Sequence, residues 1–493
     1  MGANFGDEET DVRARVLAVL AAEENRKWWT LFAVSFGLFM IMLDNTVVNV
    51  ALPTMEKDLH VSLSQLEWVV TAYALTFAAL MITGGKLADL YGRRRLFICG
   101  LAIFTLSSLA CGLASSAGFL IGARTVQGAG AALMNPATLS IITATFPPKQ
   151  RGQAIGIWAG VSALALAIGP LAGGLITENL NWNWIFFVNV PVGALAIVVS
   201  RLVIRESRDM SHEQSIDLPG LLTSIGFLFS LSYALIEGNQ HGWSSGEILG
   251  LFAAAAVLLV ALVVLELRQR LPMLDLSLFR NGAFAGANLV AMLVSLAMFG
   301  VFFFVSLYIQ NILGYSATQA GAVFLPMTIL IIFIAPIAGR FSDRVGSRWL
   351  MGGGMTLVGI SLLLYQRTGL HSNFWTLLPA MILGGIGMAS TMSPMTAAAM
   401  GAVPVDKAGV GSGVLNSFRQ VGGSLGIALI GAVVASYIHH APKSPAGAQD
   451  YVNGLHAGLA VSAAISFTAA LVAVLTVRTR PEVVREHLAE IAA

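Results

Sequence analysis

Apolar runs long enough to cross a bilayer recur along the whole chain, and this repetition constrains the fold more than any single motif. Broken by charge, Gly, Pro or Asn, they fall at about 31–55, 66–90, 96–114, 117–146, 152–177, 183–203, 218–237, 246–266, 283–310, 319–339, 349–366, 374–400, 409–438 and 455–477. At ~1.5 Å per residue, most match or exceed the ~30 Å thickness of a hydrocarbon core. The chain is 56% hydrophobic and only 11% charged over 493 residues, against about 25% charged in an average soluble protein. An all-α polytopic membrane protein with fourteen transmembrane helices is predicted.

Charge distribution tests that count. Of the 28 Lys and Arg, 22 fall in the amino terminus, the carboxyl terminus and alternate loops, including Arg93, Arg94 and Arg95. The intervening loops hold only Lys57, Arg367 and Lys443, while Lys86, Arg124 and Arg419 lie in or near spans. Positive charge marks the cytoplasmic side, so both termini are expected there, in a multi-pass protein of the cell membrane. No cleavable signal peptide is evident: residues 1–30 are polar, with a helix expected over 7–27 ending in Arg26 and Lys27.

Several functional classes drop out. No basic helix or basic–aromatic interleaving suggests nucleic acid. No glycine loop followed by Lys-Ser/Thr suggests ATP, and the eight histidines lie in or beside loops without metal-ligand spacing. No nucleophile–base constellation suggests an enzyme. Cys99 and Cys111 share one predicted helix, about 18 Å apart at helical rise, which excludes a disulfide between them.

An internal repeat sets the domain organisation. Gly85-Lys86-Leu87-Ala88-Asp89-Leu90-Tyr91-Gly92-Arg93-Arg94-Arg95 recurs 254 residues later as Gly339-Arg340-Phe341-Ser342-Asp343-Arg344-Val345-Gly346-Ser347-Arg348. The first copy follows the second span and the second copy follows the tenth. Eight helices apart, the copies imply two six-helix halves, 31–203 and 283–477, with two extra helices inside the linker 204–282. The segments 1–30 and 478–493 are then cytoplasmic ends. The hairpin over 218–266 interrupts a repeat that is complete without it, so it is expected to be peripheral. Parallel halves of this kind are a transporter architecture, with a site between them near the midplane.

Asp44 stands inside the first run, in LDNTVVNVALPTM. An ionised Asp at mid-bilayer costs roughly 2.5–3.5 kcal/mol on insertion scales, and such residues mark ion or proton pathways facing water. The alternative is a packing Asp satisfied by Asn45, Thr46 or a neighbouring helix.

These residues together resemble the major facilitator superfamily, specifically its fourteen-span drug:proton antiporters, over essentially the whole chain. The resemblance implies an inward-side gating loop at Gly85, Asp89, Gly92, Arg93, Arg94 and Asp343, although Leu90 stands where the family usually has a basic residue. It ties Arg124, in Leu120-Ile121-Gly122-Ala123-Arg124-Thr125-Val126-Gln127-Gly128, to proton transfer with Asp44. The chemistry is sensible, since a fixed cation beside a carboxylate opposes its protonation. The antiporter signature is carried by Gly156, Gly169, Pro170, Gly173 and Gly174, with Ala165 replacing one of the family's glycines. Proline bends the helix and glycines let it pack tightly against the other half. The thirteenth span has glycines from Gly411 to Gly426 but no Gly-Pro pair, and within the family a first-half motif favours export.

Tyr73, Phe77, Asn135, Trp158, Phe303, Tyr308, Met327, Met392 and Arg419 are candidates for a substrate pocket, because soft, bulky surfaces suit varied hydrophobic ligands. Glu237 reads equally as a solvated helix end or a cation-binding group. The expected function is proton-coupled antiport exporting hydrophobic or cationic small molecules, with protons, substrates and lipids as partners, no cofactor and a monomeric state. The alternatives are a dedicated exporter of one endogenous metabolite or antibiotic, or a non-transporting lipid-handling, sensor or scaffold protein.

Overall fold

The computed structural model describes residues 23–208, 217–269, 276–403, 408–440 and 444–477. Among them the chain forms fourteen helical spans: α1 (Glu23–Leu59), α2 (Leu63–Tyr91), α3 (Arg93–Gly112), α4 (Ala117–Thr145), α5 (Pro148–Asn179), α6 (Trp184–Phe187 and Asn189–Val203) and α7 (Leu218–His241). They continue as α8 (Gly246–Arg268), α9 (Gly282–Leu307), α10 (Ala317–Val323 and Leu325–Val345), α11 (Ser347–Leu364), α12 (Phe374–Gly401), α13 (Ala408–Ala435) and α14 (Pro445–Thr476). Twelve are long and apolar enough to cross a membrane. The remaining two, α4 and α5, carry Arg124, Gln127 and Asn135, or open on Lys149, Gln150 and Arg151. Residues enclosed by other helices need not match lipid.

The expected boundaries hold within about four residues except at three places: α1 starts eight residues before the predicted 31, α10 ends six residues after the predicted 339, and α14 starts ten residues before the predicted 455. Ser444 caps it, accepting from the Gly447 amide, and Tyr451 reaches back to donate to the Phe304 carbonyl at 2.8 Å. The predicted helix over 7–27 lies almost wholly outside the described residues.

The two ends of the bundle differ chemically. At the basic end, α2 passes into α3 through Gly92 (φ +112°) and α10 into α11 through Gly346 (φ +89°). That backbone region strains any residue with a Cβ, so the repeated motif is repeated geometry. At the opposite, far end, α2, α4, α8, α10, α12 and α14 all begin on neutral Ser or Asn caps: Ser62, Ser116, Ser245, Ser316, Asn373 and Ser444. Each side-chain oxygen satisfies a helix-start N–H that has no partner within the helix.

A shift of eight helices reproduces the packing. The pairs α1–α5, α2–α4, α3–α4 and α3–α6 recur as α9–α13, α10–α12, α11–α12 and α11–α14. Gly85 rests on Pro136 of α4, and Gly339 stands against Ser393 of α12. The six-helix halves predicted from the repeat are visible as packing units, meeting along α2–α13, α5–α10 and α1–α9.

The extra hairpin departs from expectation. α8 is peripheral, packing on α7 and exposing Leu249, Val257, Val260 and Leu267. α7 instead bridges both halves. Trp68 Nε1 donates to Glu237 Oε1 at 3.0 Å, Gln240 Nε2 to Ser64 Oγ at 2.8 Å, and Asn239 Nδ2 to the Ala432 carbonyl at 2.8 Å. Leu228 joins Leu75 and Ala79 of α2, with Val421 of α13 packed against them. Glu237 is therefore a hydrogen-bonded helix end. Three such bonds, at about 1 kcal/mol each, anchor α7. Deleting 218–266 behind a short linker is expected to lower the melting temperature in detergent, whereas Val257→Ala and Val260→Ala leave it unchanged. Equal melting of the deletion variant and the parent would return α7 to the periphery.

Candidate functional site: a sealed carboxylate–arginine network and a far-end seam

Asp44 and Arg124, on α1 and α4, are each 1% exposed, and Arg124 Nη1 meets Asp44 Oδ2 at 2.5 Å. The carboxylate does not face water in this conformation; it is enclosed within the first half. Gln127, one helical turn from Arg124, completes a ring: its Oε1 accepts from Nη1 at 2.7 Å and its Nε2 donates to Asp44 Oδ1 at 3.1 Å. Arg124 Nε donates to the Val69 carbonyl at 3.1 Å, and the guanidinium lies 4.2 Å over the Tyr73 ring and 5.7 Å over that of Phe186. From Gln127 the network runs to Ser108 Oγ (3.3 Å), which also accepts from Asn189 Nδ2 at 3.0 Å and donates to the Phe186 carbonyl. Ser108 and Phe186 stand at the far ends of α3 and α6, so the network reaches toward the far face. A buried ion pair with its remaining donors satisfied is the arrangement a low-dielectric interior tolerates.

The first copy of the gating loop forms a clamp between the first half and the start of the linker. Asp89 accepts from Arg93 Nε at 2.8 Å. Glu206, a residue the sequence reading missed, takes the Arg94 amide at 3.1 Å and approaches Arg95 at 3.7 Å. Arg94 Nη2 donates to the Arg201 carbonyl at 2.6 Å. A Cβ on Gly92 would strike the Glu206 carboxylate. Asp343 lies on α10, but its side-chain surroundings fall outside the described residues.

The glycine signature on α5 splits between two neighbours. Gly169 and Gly173 pack on Thr46 and Val47 of α1, in the same half. Among the signature residues whose surroundings are described, only Gly174 and Pro170 meet the other half: a Cβ on Gly174 would collide with the Ala317 carbonyl, and one on Gly321 with the Pro170 carbonyl. Gly156 lies on α5 with surroundings outside the described residues.

This contact is part of a far-end seam. Ser306 Oγ donates to the Asn49 carbonyl (3.0 Å), Gln310 Nε2 to the Val50 carbonyl (2.9 Å) and Asn311 Nδ2 to Glu56 Oε2 (3.0 Å). Glu178 Oε2 accepts from Ser316 Oγ (2.7 Å) and the Thr318 amide (3.0 Å). Hydrogen bonds from Thr318 and Ser316 hold the exposed Glu178 carboxyl, beyond the apolar span, below the usual carboxylate range. Among the described residues, every hydrogen bond between the six-helix halves lies at this end. Glu67, 2% exposed, also sits here, where a Cβ on Gly431 would strike it.

Along α13 the burial changes with depth. Ser412, Asn416, Arg419 and Gln420, toward the basic end, are partly exposed, whereas Gly423, Ile427, Ile430 and Val434 on the same helical stripe are buried. The halves are thus closed at the far end and parted at the basic end.

Most pocket candidates prove to be packing residues. Tyr73 serves Arg124, with Phe77 beside it at 5.9 Å. Phe303 packs on Phe304 within the core. Tyr308 donates to the Gly369 carbonyl at 2.6 Å. Met327 fills the α10–α12 contact at Gly384 and Gly385, and Asn135 is buried. Each therefore leaves the pocket in this conformation. Trp158, whose Nε1 donates to Thr138 Oγ1, Met392 and Arg419 retain exposure.

Two repeated six-helix units closed at one end around a seam, with a charged network buried in one of them, are a membrane-transporter architecture. The chain belongs to the Major Facilitator Superfamily, whose sequence profile matches residues 34–426 and again 287–491. It is 37% identical over 412 residues to the multidrug resistance protein Stp of Mycobacterium tuberculosis (strain CDC 1551 / Oshkosh), covering 83% of this chain and 76% of that one. It is 36% identical over 479 residues to the puromycin resistance protein pur8 of Streptomyces alboniger, covering 95% of each. Its fold matches a bacterial homologue of the human lysosomal transporter Spinster, solved inward-facing and unoccupied, with a TM-score of 0.65, 18% identity, and coverage of 92% of this chain and 97% of that one.

Proposed function

We propose that this protein is a proton-coupled antiporter that exports hydrophobic small molecules, cationic ones included, from the cytoplasm. The observation carrying the reading is the sealed Asp44–Arg124–Gln127 ring, a titratable group held by a fixed cation inside the membrane. The basic end is cytoplasmic by the positive-inside rule, so the closed far end faces outward and substrate enters from the cytoplasm or inner leaflet.

In this reading a proton arriving at Asp44 must displace Arg124 Nη1. The freed guanidinium keeps the Val69 carbonyl, Gln127 and the Tyr73 face. Its changed position on α4 shifts the balance between conformations, because the two protonation states prefer different packings. Substrate binding between the halves and opening of the far-end seam then complete the exchange. A membrane potential adds about 2.3 kcal/mol per charge per 100 mV.

Dye efflux from proteoliposomes, with and without an imposed pH gradient, tests the proposal. Gradient-dependent efflux is expected, abolished by a protonophore. Efflux indifferent to the gradient would remove proton coupling. A second reading, a carrier dedicated to one compound, is favoured by the full-length likeness to a relative named for a single antibiotic. Protection of a sensitive host against one compound in a broad panel would select it.

A further inference from the structure

We infer that the cytoplasmic-side vestibule carries a binding site for the anionic group of an amphipathic substrate, such as a carboxylate or an acidic phenolate, formed by Arg419 and Gln420 on α13. The inference rests on the export reading and names a substrate class for it.

Arg419 lies eleven residues into α13, about 16 Å from its basic end at helical rise, within the apolar stretch Val410–Ala435. Among the described residues it has no hydrogen bond or ion pair. The contrast with Arg124 is direct: the buried Arg124 has a carboxylate, a carboxamide and a carbonyl, while the half-buried Arg419 has none of these among the described residues. Its neighbour Gln420 holds a buried Nε2 without an acceptor, and Ser417 Oγ is likewise unpartnered. The Arg419 guanidinium and Gln420 Nε2 thus offer unused donors, and no carboxylate pairs with Arg419 among the described residues. Asn416, one turn earlier, spends its amide on the Ser412 carbonyl and adds no competing negative charge.

The position suits a ligand. Val421, the next residue, packs against Leu75 and Ala79 of the opposite half, so this segment of α13 borders the seam that parts toward the basic end. Arg419 and Gln420 keep partial exposure there. Around them the helix is lined by apolar and small residues, with Phe418 against Phe279 at 5.6 Å. A guanidinium beside a carboxamide in apolar surroundings recognises a planar anion through charge-assisted hydrogen bonds. An exchange of such an anion outward for a proton inward moves positive charge inward twice, so potential and pH gradient act together.

Equilibrium binding to the purified full-length protein tests this without any gradient, so failure of proton-coupled export leaves the result readable. The probes are fluorescein, anionic at neutral pH, and rhodamine 6G, a cationic ester on a closely related xanthene ring system. Fluorescein affinity is expected to fall about tenfold or more in Arg419→Gln and severalfold in Gln420→Leu, and to be largely kept in Arg419→Lys. Rhodamine 6G affinity is expected to change less than about twofold in all three. Melting temperatures near the parent's establish folding, and Arg419→Lys decides the matter should Arg419→Gln fail to fold, since equal loss of both probes in the lysine variant overturns the site. The proposal is also overturned if the parent binds the cation alone, or if fluorescein binding is unchanged without the guanidinium.

Discussion

Asp44→Asn is expected to reduce gradient-driven efflux to the passive leak while the protein still inserts at parental abundance. The asparagine keeps an oxygen for Gln127 Nε2, which now bonds Asp44 Oδ1 at 3.1 Å, but it removes the anion facing Arg124. Taking one partner from a buried ion pair costs about 3–5 kcal/mol. Arg124 retains the Val69 carbonyl, Gln127 and the Tyr73 face, so the loss is expected toward the lower figure. Arg124→Ala removes more, because it leaves an ionised carboxylate in an enclosure 1% exposed. The double variant Asp44→Asn/Arg124→Gln is then expected to melt above either single variant and still transport nothing. Efflux and thermal melting on the same preparations check both halves of the statement. Parental efflux from Asp44→Asn at matched abundance would dismiss Asp44 as the proton carrier.

The second large effect is expected at Gly174. Any side chain there meets the Ala317 carbonyl of the other half. A leucine therefore wedges open the seam closed by Ser306–Asn49, Gln310–Val50 and Glu178–Ser316. Gly321→Leu acts from the opposite wall, against the Pro170 carbonyl. Both variants are expected to shift the population toward the outward-open form and to lose coupled export. Gly173→Leu strikes Val47 inside one half and is expected to lower stability instead. The measurement is labelling of Ser306→Cys by a membrane-impermeant maleimide, after replacing Cys99 and Cys111. Labelling faster by about tenfold corresponds to a shift of about 1.4 kcal/mol. Unchanged labelling together with normal export would take the α5 glycines out of the gate.

Much of this was readable from residue order because membrane burial enforces simple rules. Span number, the doubled motif at Gly92 and Gly346, and the eight-helix shift follow from hydropathy and a shared turn. Asp44 and Arg124 were identifiable as charges that lipid cannot accommodate, yet their enclosure was not: which side of α1 faces α4 depends on close approaches such as that of Gly37 to the Met134 sulfur. Gln127 was within reach, one turn from Arg124 on the same face. Glu67 was missed because it opens the second predicted span, where a charge reads as interfacial, although the structure leaves it only 2% exposed. The pocket aromatics misled because ring and thioether side chains fill helix contacts as readily as they line cavities, and helix phase decides between the two. The role of α7 was hidden because the polar residues tying it to both halves, Glu237, Asn239 and Gln240, look like an ordinary helix end.

The closure of the ring around Asp44 bears on how fast the carrier can run. If the proposed proton coupling holds, a carboxylate with both oxygens engaged and only 1% exposed meets a proton mainly during a local opening, whose frequency belongs to the protein. External acidity can fill the site during each opening, but it cannot multiply the openings. Turnover should thus climb with acidity and then level off, and the plateau should move with temperature as a conformational barrier does. The same shutter restrains wasteful proton flow when no cargo is aboard, since a site that rarely opens seldom carries a proton without its partner.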